Sequence, residues 1–128
     1  MKDCRLTIQI NQPVSVVFDY TTDPNNTPLW VPSIIREEVN ETPIKIGTVY
    51  RNKNKQGVWQ EYEVTAFEKD KLFIFSSKTS TYHVKYTFTP INNNSCKLEY
   101  YEWVDEGLLD EPFTIDILER LKEILENS

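Results

Sequence analysis

Glu61-Tyr62-Glu63-Val64-Thr65-Ala66-Phe67, a charged turn, Leu72-Phe73-Ile74-Phe75, and then Tyr86-Thr87-Phe88-Thr89-Pro90 decide the fold of this chain. They read as long strands in succession, each with its own apolar set and a short connection to the next. In 57–68, Val58, Tyr62, Val64 and Ala66 share one parity, against Glu61, Glu63 and Thr65. In 81–90, Tyr82, Val84, Tyr86 and Phe88 oppose Thr81, His83, Lys85 and Thr87, and in 95–104, Cys96, Leu98, Tyr100 and Glu102 oppose Lys97, Glu99, Tyr101 and Trp103. This period of two describes antiparallel strands with one face buried and one solvated.

Working outward, Cys4, Leu6, Ile8 and Ile10 alternate with Arg5, Thr7 and Gln9 as a first strand. Pro13 suits a first helical turn, and Val14, Val17 and Phe18 form the apolar stripe of the helix that follows. Thr21-Thr22-Asp23-Pro24-Asn25-Asn26 breaks that helix, and a short helical turn leads to Leu29-Trp30. Residues 33–40 and 48–54 read as shorter strands, and Asn52 to Gly57 as a marked hairpin turn. Past Pro112 the period changes: Phe113, Ile117, Leu121, Ile124 and Leu125 form one helical stripe, with Asp116, Glu119, Arg120, Lys122 and Glu123 outside. The expectation is an α+β unit spanning 1–128. Its curved seven-stranded antiparallel sheet wraps around a C-terminal helix, with a space left between the two.

Composition bounds the function. The 128 residues carry a net charge of −6 and no basic cluster, which disfavours nucleic acid and anionic membrane surfaces. No run approaches the length of a membrane span, and Met1 to Leu6 leads directly into a strand, so a cytoplasmic protein is expected. The matches to the glycosylation sequon at Asn25, Asn40 and Asn93 are then chance. Cys4 and Cys96 alternate with Leu and Ile and read as small buried hydrophobes, with a disulfide open if their strands are neighbours. His83, the single histidine, falls on the solvent parity, and the three glycines make no phosphate loop. No metal site and no cofactor are expected.

The order of elements, with Ile8 to Phe18, Asp23-Pro24-Asn25 followed by Trp30, Gly47-Thr48-Val49-Tyr50-Arg51, Glu61 to Glu68 and Phe73 to Phe75, resembles the START-like or SRPBCC superfamily. Its polyketide cyclase/dehydrase-type members are the nearest in kind. The chain departs from them with Lys69-Asp70-Lys71, where the family usually keeps proline between central strands. Members that stimulate a chaperone ATPase usually carry tryptophan in the first helix, where this chain has Phe18. The resemblance implies a helix-grip fold and covers carriers, receptors and cyclases alike, so it does not choose among them.

What chemistry remains is aromatic and hydroxyl-bearing. Tyr62, Tyr82, Tyr86 and Tyr100 share the inward parity, either as core packing or as a ligand-binding wall with Trp30, Phe73, Phe75 and Phe88. Glu102 has the same parity, either at a wet cavity mouth or as a polar anchor and candidate acid/base. Trp59, Phe67, Tyr101 and Trp103 take the outer parity. The function expected is binding of a mostly apolar or aromatic small molecule between sheet and C-terminal helix. The rivals are a cyclase- or dehydratase-type enzyme acting on a polyketide-like or aromatic substrate, and an interaction module working through the outer face.

Overall fold

In the computed structural model, which describes residues 1–127, β1 (Asp3–Ile10) leads through α1 (Val14–Thr22) and α2 (Thr27–Trp30) to six further strands. These are β2 (Ile34–Val39), β3 (Val49–Asn54), β4 (Trp59–Glu68), β5 (Leu72–Ser77), β6 (Tyr82–Asn92) and β7 (Ser95–Val104), and α3 (Ile115–Glu126) closes the chain. The strands form one antiparallel sheet in the order β1-β7-β6-β5-β4-β3-β2. It curls into a half-barrel around the helices, the helix-grip arrangement.

Local chemistry sets the helix ends. Pro13 holds extended backbone (φ −56°, ψ 145°) and caps α1 with its carbonyl, which accepts from the amides of Val16 and Val17. α1 runs through Thr21 and Thr22, beyond the expected break. Their hydroxyls bond back to the carbonyls of Val17 and Phe18, and Asp23, ahead of Pro24, is forced into extended backbone. In the β3–β4 turn, Asn54 Oδ1 accepts from the amides of Gln56 and Val58, while Gly57 takes φ +81°. Asp70 supplies the left-handed residue of the β4–β5 turn (φ +62°), and Lys69 ties that turn to Asp19 of α1 at 2.7 Å.

One end of the half-barrel is packed solid. Phe18 is ringed by Phe67, Phe73 and Phe88 at centroid distances of 5.6, 6.3 and 5.1 Å. Phe67 is therefore not on the outer face. A β-bulge in the β4–β5 pairing between Val64 and Ala66 adds one residue, inverts the parity and turns Phe67 onto the core. Val58 precedes β4 and is exposed, so the apolar set of that strand begins at Tyr62. On α3 the buried positions are Leu118, Leu121 and Leu125, with Ile117 and Ile124 at the flanks. Leu118 is the member that the expected stripe left out. Phe113 lies ahead of the helix.

Cys4 and Cys96 are on neighbouring strands but at opposite ends of the pairing, Cys4 opposite Glu102 and Cys96 opposite Ile10. About 20 Å of strand separates them, far beyond disulfide reach, and both are free.

The packing of α3 makes a test. Leu121→Ala should destabilise by roughly 2–5 kcal/mol in denaturant titration, because a fully buried side chain leaves a cavity. Glu123→Ala, on the exposed face, should change stability by about 0.5 kcal/mol or less. Comparable losses from the two would mean that α3 packs by another face.

Candidate functional site

The other end of the half-barrel is hollow. A half-open cavity of about 800 Å³ lies against the inner face of β3 to β7. Trp30, Tyr62, Phe73, Phe75, Tyr82, Tyr86, Tyr100 and Glu102 all line it; of these, strand parity puts Tyr62, Tyr82, Tyr86, Tyr100 and Glu102 on the inner face. Phe88 does not: it sits on β6 toward α1 and is spent on Phe18. The wall facing the sheet also differs from expectation. No residue of α3 reaches the cavity among the described residues; α2, the start of β2 and the segment from Glu106 to Phe113 close it instead.

That segment is fastened by Glu102. The carboxylate is 1% exposed and accepts from the Tyr82 hydroxyl (3.1 Å) and the Phe113 amide (2.9 Å). The Phe113 carbonyl accepts from Cys4 Sγ (3.5 Å), and its ring stacks on Tyr100 at 4.2 Å and 4°. Farther up, the Leu109 amide bonds to the Met1 carbonyl and the Glu106 amide to Thr81 Oγ1. Glu102 thus faces the cavity with each oxygen engaged by the protein.

A second buried carboxylate, Glu37, was not foreseen. It lies on β2 opposite Asn52, which lies opposite Gln60, so the three form one row of the cavity wall. Glu37 is 9% exposed and accepts from Thr27 Oγ1 (2.6 Å) and Asn52 Nδ2 (3.3 Å). Burial pushes its carboxyl up to about 7 against the pull of those two hydrogen bonds. Arg36, Arg51 and Glu38 pair with one another on the opposite face, away from Glu37. The stretch Ile34-Ile35-Arg36-Glu37-Glu38-Val39 has no apolar alternation, so parity alone gave no reason to turn Glu37 inward.

The tyrosines are neutral hydroxyl donors at any ordinary pH. Burial first, then nearby carboxylates (for Tyr100, the neighbouring Tyr82 and Tyr86 ahead of Glu102), raises Tyr50, Tyr82, Tyr86 and Tyr100 above their usual range and Tyr62 to about 12. Tyr50 donates to the Thr22 carbonyl (2.6 Å), and the Tyr82 and Tyr100 hydroxyls lie 3.5 Å apart. The Trp30 indole N–H is buried without a partner in the structure.

The outer face carries two separate aromatic groups. Tyr101 stacks on Trp103, Trp103 on His83, and the Arg5 guanidinium covers Tyr101. His83 lies on this outer face as its parity indicates, half-buried, its ring nitrogens 2.6 Å from Ser76 Oγ and 2.8 Å from Asp105 Oδ2. Trp59, two strands away from β6, is covered by Arg51 and Lys53. These rings form no single apolar patch. Among the described residues, no group of three or more His, Cys, Asp or Glu is placed to hold a metal ion. No described helix is long and apolar enough to cross a membrane.

Over residues 1–127 the sequence matches the family described as polyketide cyclase / dehydrase and lipid transport. The chain belongs to that family. Solved structures of the same fold include a START superfamily protein from Mycobacterium smegmatis (14% identical, TM-score 0.77, covering 99% of each chain). Another, from Nitrosomonas europaea, is 14% identical with a TM-score of 0.76, covering 98% of this chain and 95% of that one. A third, from Mesorhizobium loti, is 16% identical with a TM-score of 0.72 and coverage of 99% and 98%. Among curated proteins there is no match. At these identities the likeness establishes the fold alone.

Two tests follow from the carboxylates. The folded state holds the Glu37 proton more tightly than the unfolded chain, whose carboxyl titrates near 4.5. The resulting stabilisation is complete below about pH 4.5 and is lost as pH rises toward about 7. Two to three pH units correspond to roughly 3 kcal/mol. Glu37→Gln should remove this dependence, read as the difference between variant and parent in denaturant titrations at about pH 5 and pH 8. Parallel curves for the two proteins would place the Glu37 carboxyl in water.

For Glu102, the Gln variant keeps an acceptor for the Phe113 amide and can donate to Tyr82, so it should cost about 1 kcal/mol or less. Glu102→Leu orphans that amide and should cost roughly 1–3 kcal/mol more than Gln in the same titration.

Proposed function

We propose that this chain binds a small, mostly apolar or aromatic organic molecule in the cavity between the sheet and the segment leading into α3. The observation that carries the reading is the volume of about 800 Å³ combined with its lining of stacked and edge-on rings. A void of that size inside an otherwise close-packed half-barrel forfeits contacts that a core would make, and it falls in the range of small-molecule pockets. Tyr62, Phe73, Phe75, Tyr82, Tyr86, Tyr100 and Trp30 supply contact area, and Glu37, Asn52 and Gln60 supply orientation. The family description, cyclase, dehydrase and lipid transport, names functions that all handle such molecules.

One observation favours a second reading, an enzyme of cyclase or dehydratase type. Glu37 titrates near 7 and has oxygen lone pairs to spare, which suits a general acid or base. Glu102 is the weaker candidate for that role, since it is 1% exposed against 9% for Glu37 and its hydrogen bond to the Phe113 amide holds the wall segment in place.

Native mass spectrometry of gently purified protein should show one organic adduct per chain. Ser77→Trp, which adds a ring to the cavity wall, should abolish the adduct while circular dichroism stays unchanged. An adduct that persists in this variant would put the binding site elsewhere. If the recovered molecule is converted on incubation, Glu37→Gln should slow conversion of the bound molecule, at saturating concentration, on the order of 10²–10⁴-fold.

A further inference from the structure

Buried carboxylates are ordinarily paired with a cation or hold a metal. Glu37 and Glu102 do neither: no Lys, Arg or His lies within ion-pair distance of them among the described residues, and no metal-ligating cluster exists there. Strand alternation makes the imbalance structural. The cations nearest in register to Glu37, namely Arg36, Arg51 and Lys53, are turned to the outer face, where Arg51 binds Glu38 and both Arg51 and Lys53 cover Trp59. The rim continues the same sign. Glu106, Asp110 and Glu111 edge the opening, and Lys55 is the one basic side chain in the lining.

We propose that the cavity selects a ligand bearing a protonated amine on an aromatic or otherwise apolar body, with Glu37 as its counter-ion. This inference rests on the binding reading above and narrows it. Glu37 fits the role better than Glu102, because it keeps 9% exposure against 1%, one of its two hydrogen bonds is long (Asn52, 3.3 Å), and the two bonds of Glu102 hold the wall itself together. The rest of the wall suits a cation as well. Tyr50, Phe75, Tyr62 and Tyr82 adjoin one another at centroid distances of 5.0–6.3 Å, and their ring faces attract an ammonium group electrostatically. A carboxylate ligand, such as a free fatty acid, would bring its negative charge up against Glu37 and the acidic rim. It should be rejected.

The test is calorimetric titration with three probes of one shape: 2-naphthylmethylamine, 2-naphthylmethanol and 2-naphthoate. At about pH 8 Glu37 is ionised while the amine is still largely protonated, and at about 0.5 M salt the exposed rim acids are screened to within a few ångströms. The amine should bind about tenfold or more tighter than the alcohol, and the alcohol tighter than the naphthoate. In Glu37→Gln, checked for folding by circular dichroism, the amine-to-alcohol ratio should fall to near one. An alcohol that binds as tightly as the amine to the parent protein would overturn the inference and leave the cavity reading standing. An amine preference that survives in Glu37→Gln would also overturn it, since the counter-ion would be another group. If no probe bound at millimolar concentration, the binding reading itself would fail and the inference with it.

Discussion

The carboxylate of Glu102 is the constraint on which the hollow half of the molecule depends. It is taken fully out of water at the level of β7, opposite Cys4 on one side and Val84 on the other. Burying a charge there is unfavourable unless donors replace the lost water, and the two donors come from different elements: a tyrosine of β6 and the backbone of the segment before α3. The Phe113 amide is thereby fixed to the sheet, Phe113 is laid flat on Tyr100, and α3 starts where Leu118, Leu121 and Leu125 meet the core. The cavity is what remains between that segment and the strands. One hydrogen-bonded carboxylate sets the height of the roof.

The two ends of the half-barrel are stabilised by different physics. At the α1 end, Phe18 and its three phenylalanine neighbours exclude water and lose little by being rigid. At the other end the rings face a void, so polar and backbone ties carry more of the load: Glu102 to Phe113, Met1 to Leu109, Thr81 to Glu106. Leu108 is largely exposed and Leu109 only just buried, so apolar burial adds little there. Segments held by few buried contacts open at lower free energy than core elements. The wall across the cavity mouth therefore opens more readily than α3 leaves the sheet.

Most of the architecture was legible because strands with one wet and one dry face, β1, β4, β6 and β7 above all, leave a period of two in the chain. Parity alone puts Tyr62, Tyr82, Tyr86, Tyr100 and Glu102 on the inner face, with core packing and cavity wall both open, and in the structure they line the cavity. What parity missed has physical causes. A one-residue bulge between Val64 and Ala66 inverted every later position of β4, and Phe67 went inward. Phe88 shares the parity of Tyr86 but sits one pleat nearer α1, where the core is filled, and position along a strand is invisible to a periodic pattern. Leu118 lies between two stripe positions that the reading took as sufficient. Glu37 was hidden for the opposite reason. A polar side chain turned inward breaks the pattern used to find inward positions, so the most polar part of a pocket is the part that hydrophobic patterning is least able to show.

That asymmetry bears on why family membership leaves the ligand open. The apolar wall offers ring surface and volume that many different occupants could use, and the fold alone does not choose among them. Selectivity has to come from the few groups that contradict the pattern, since an unpaired polar atom in a dry wall penalises every occupant that fails to complement it. Here those groups are Glu37 with Asn52 and Gln60 on one side, Glu102 on the other, and the unpartnered indole N–H of Trp30 between the helical segment and the sheet. Glu102 is the more deeply buried of the two carboxylates, and its bonds hold the wall segment. The polar side of the cavity wall that keeps some exposure therefore lies at the edge strand β2, where the chain is least regular and a substitution at position 37 changes the charge of the wall.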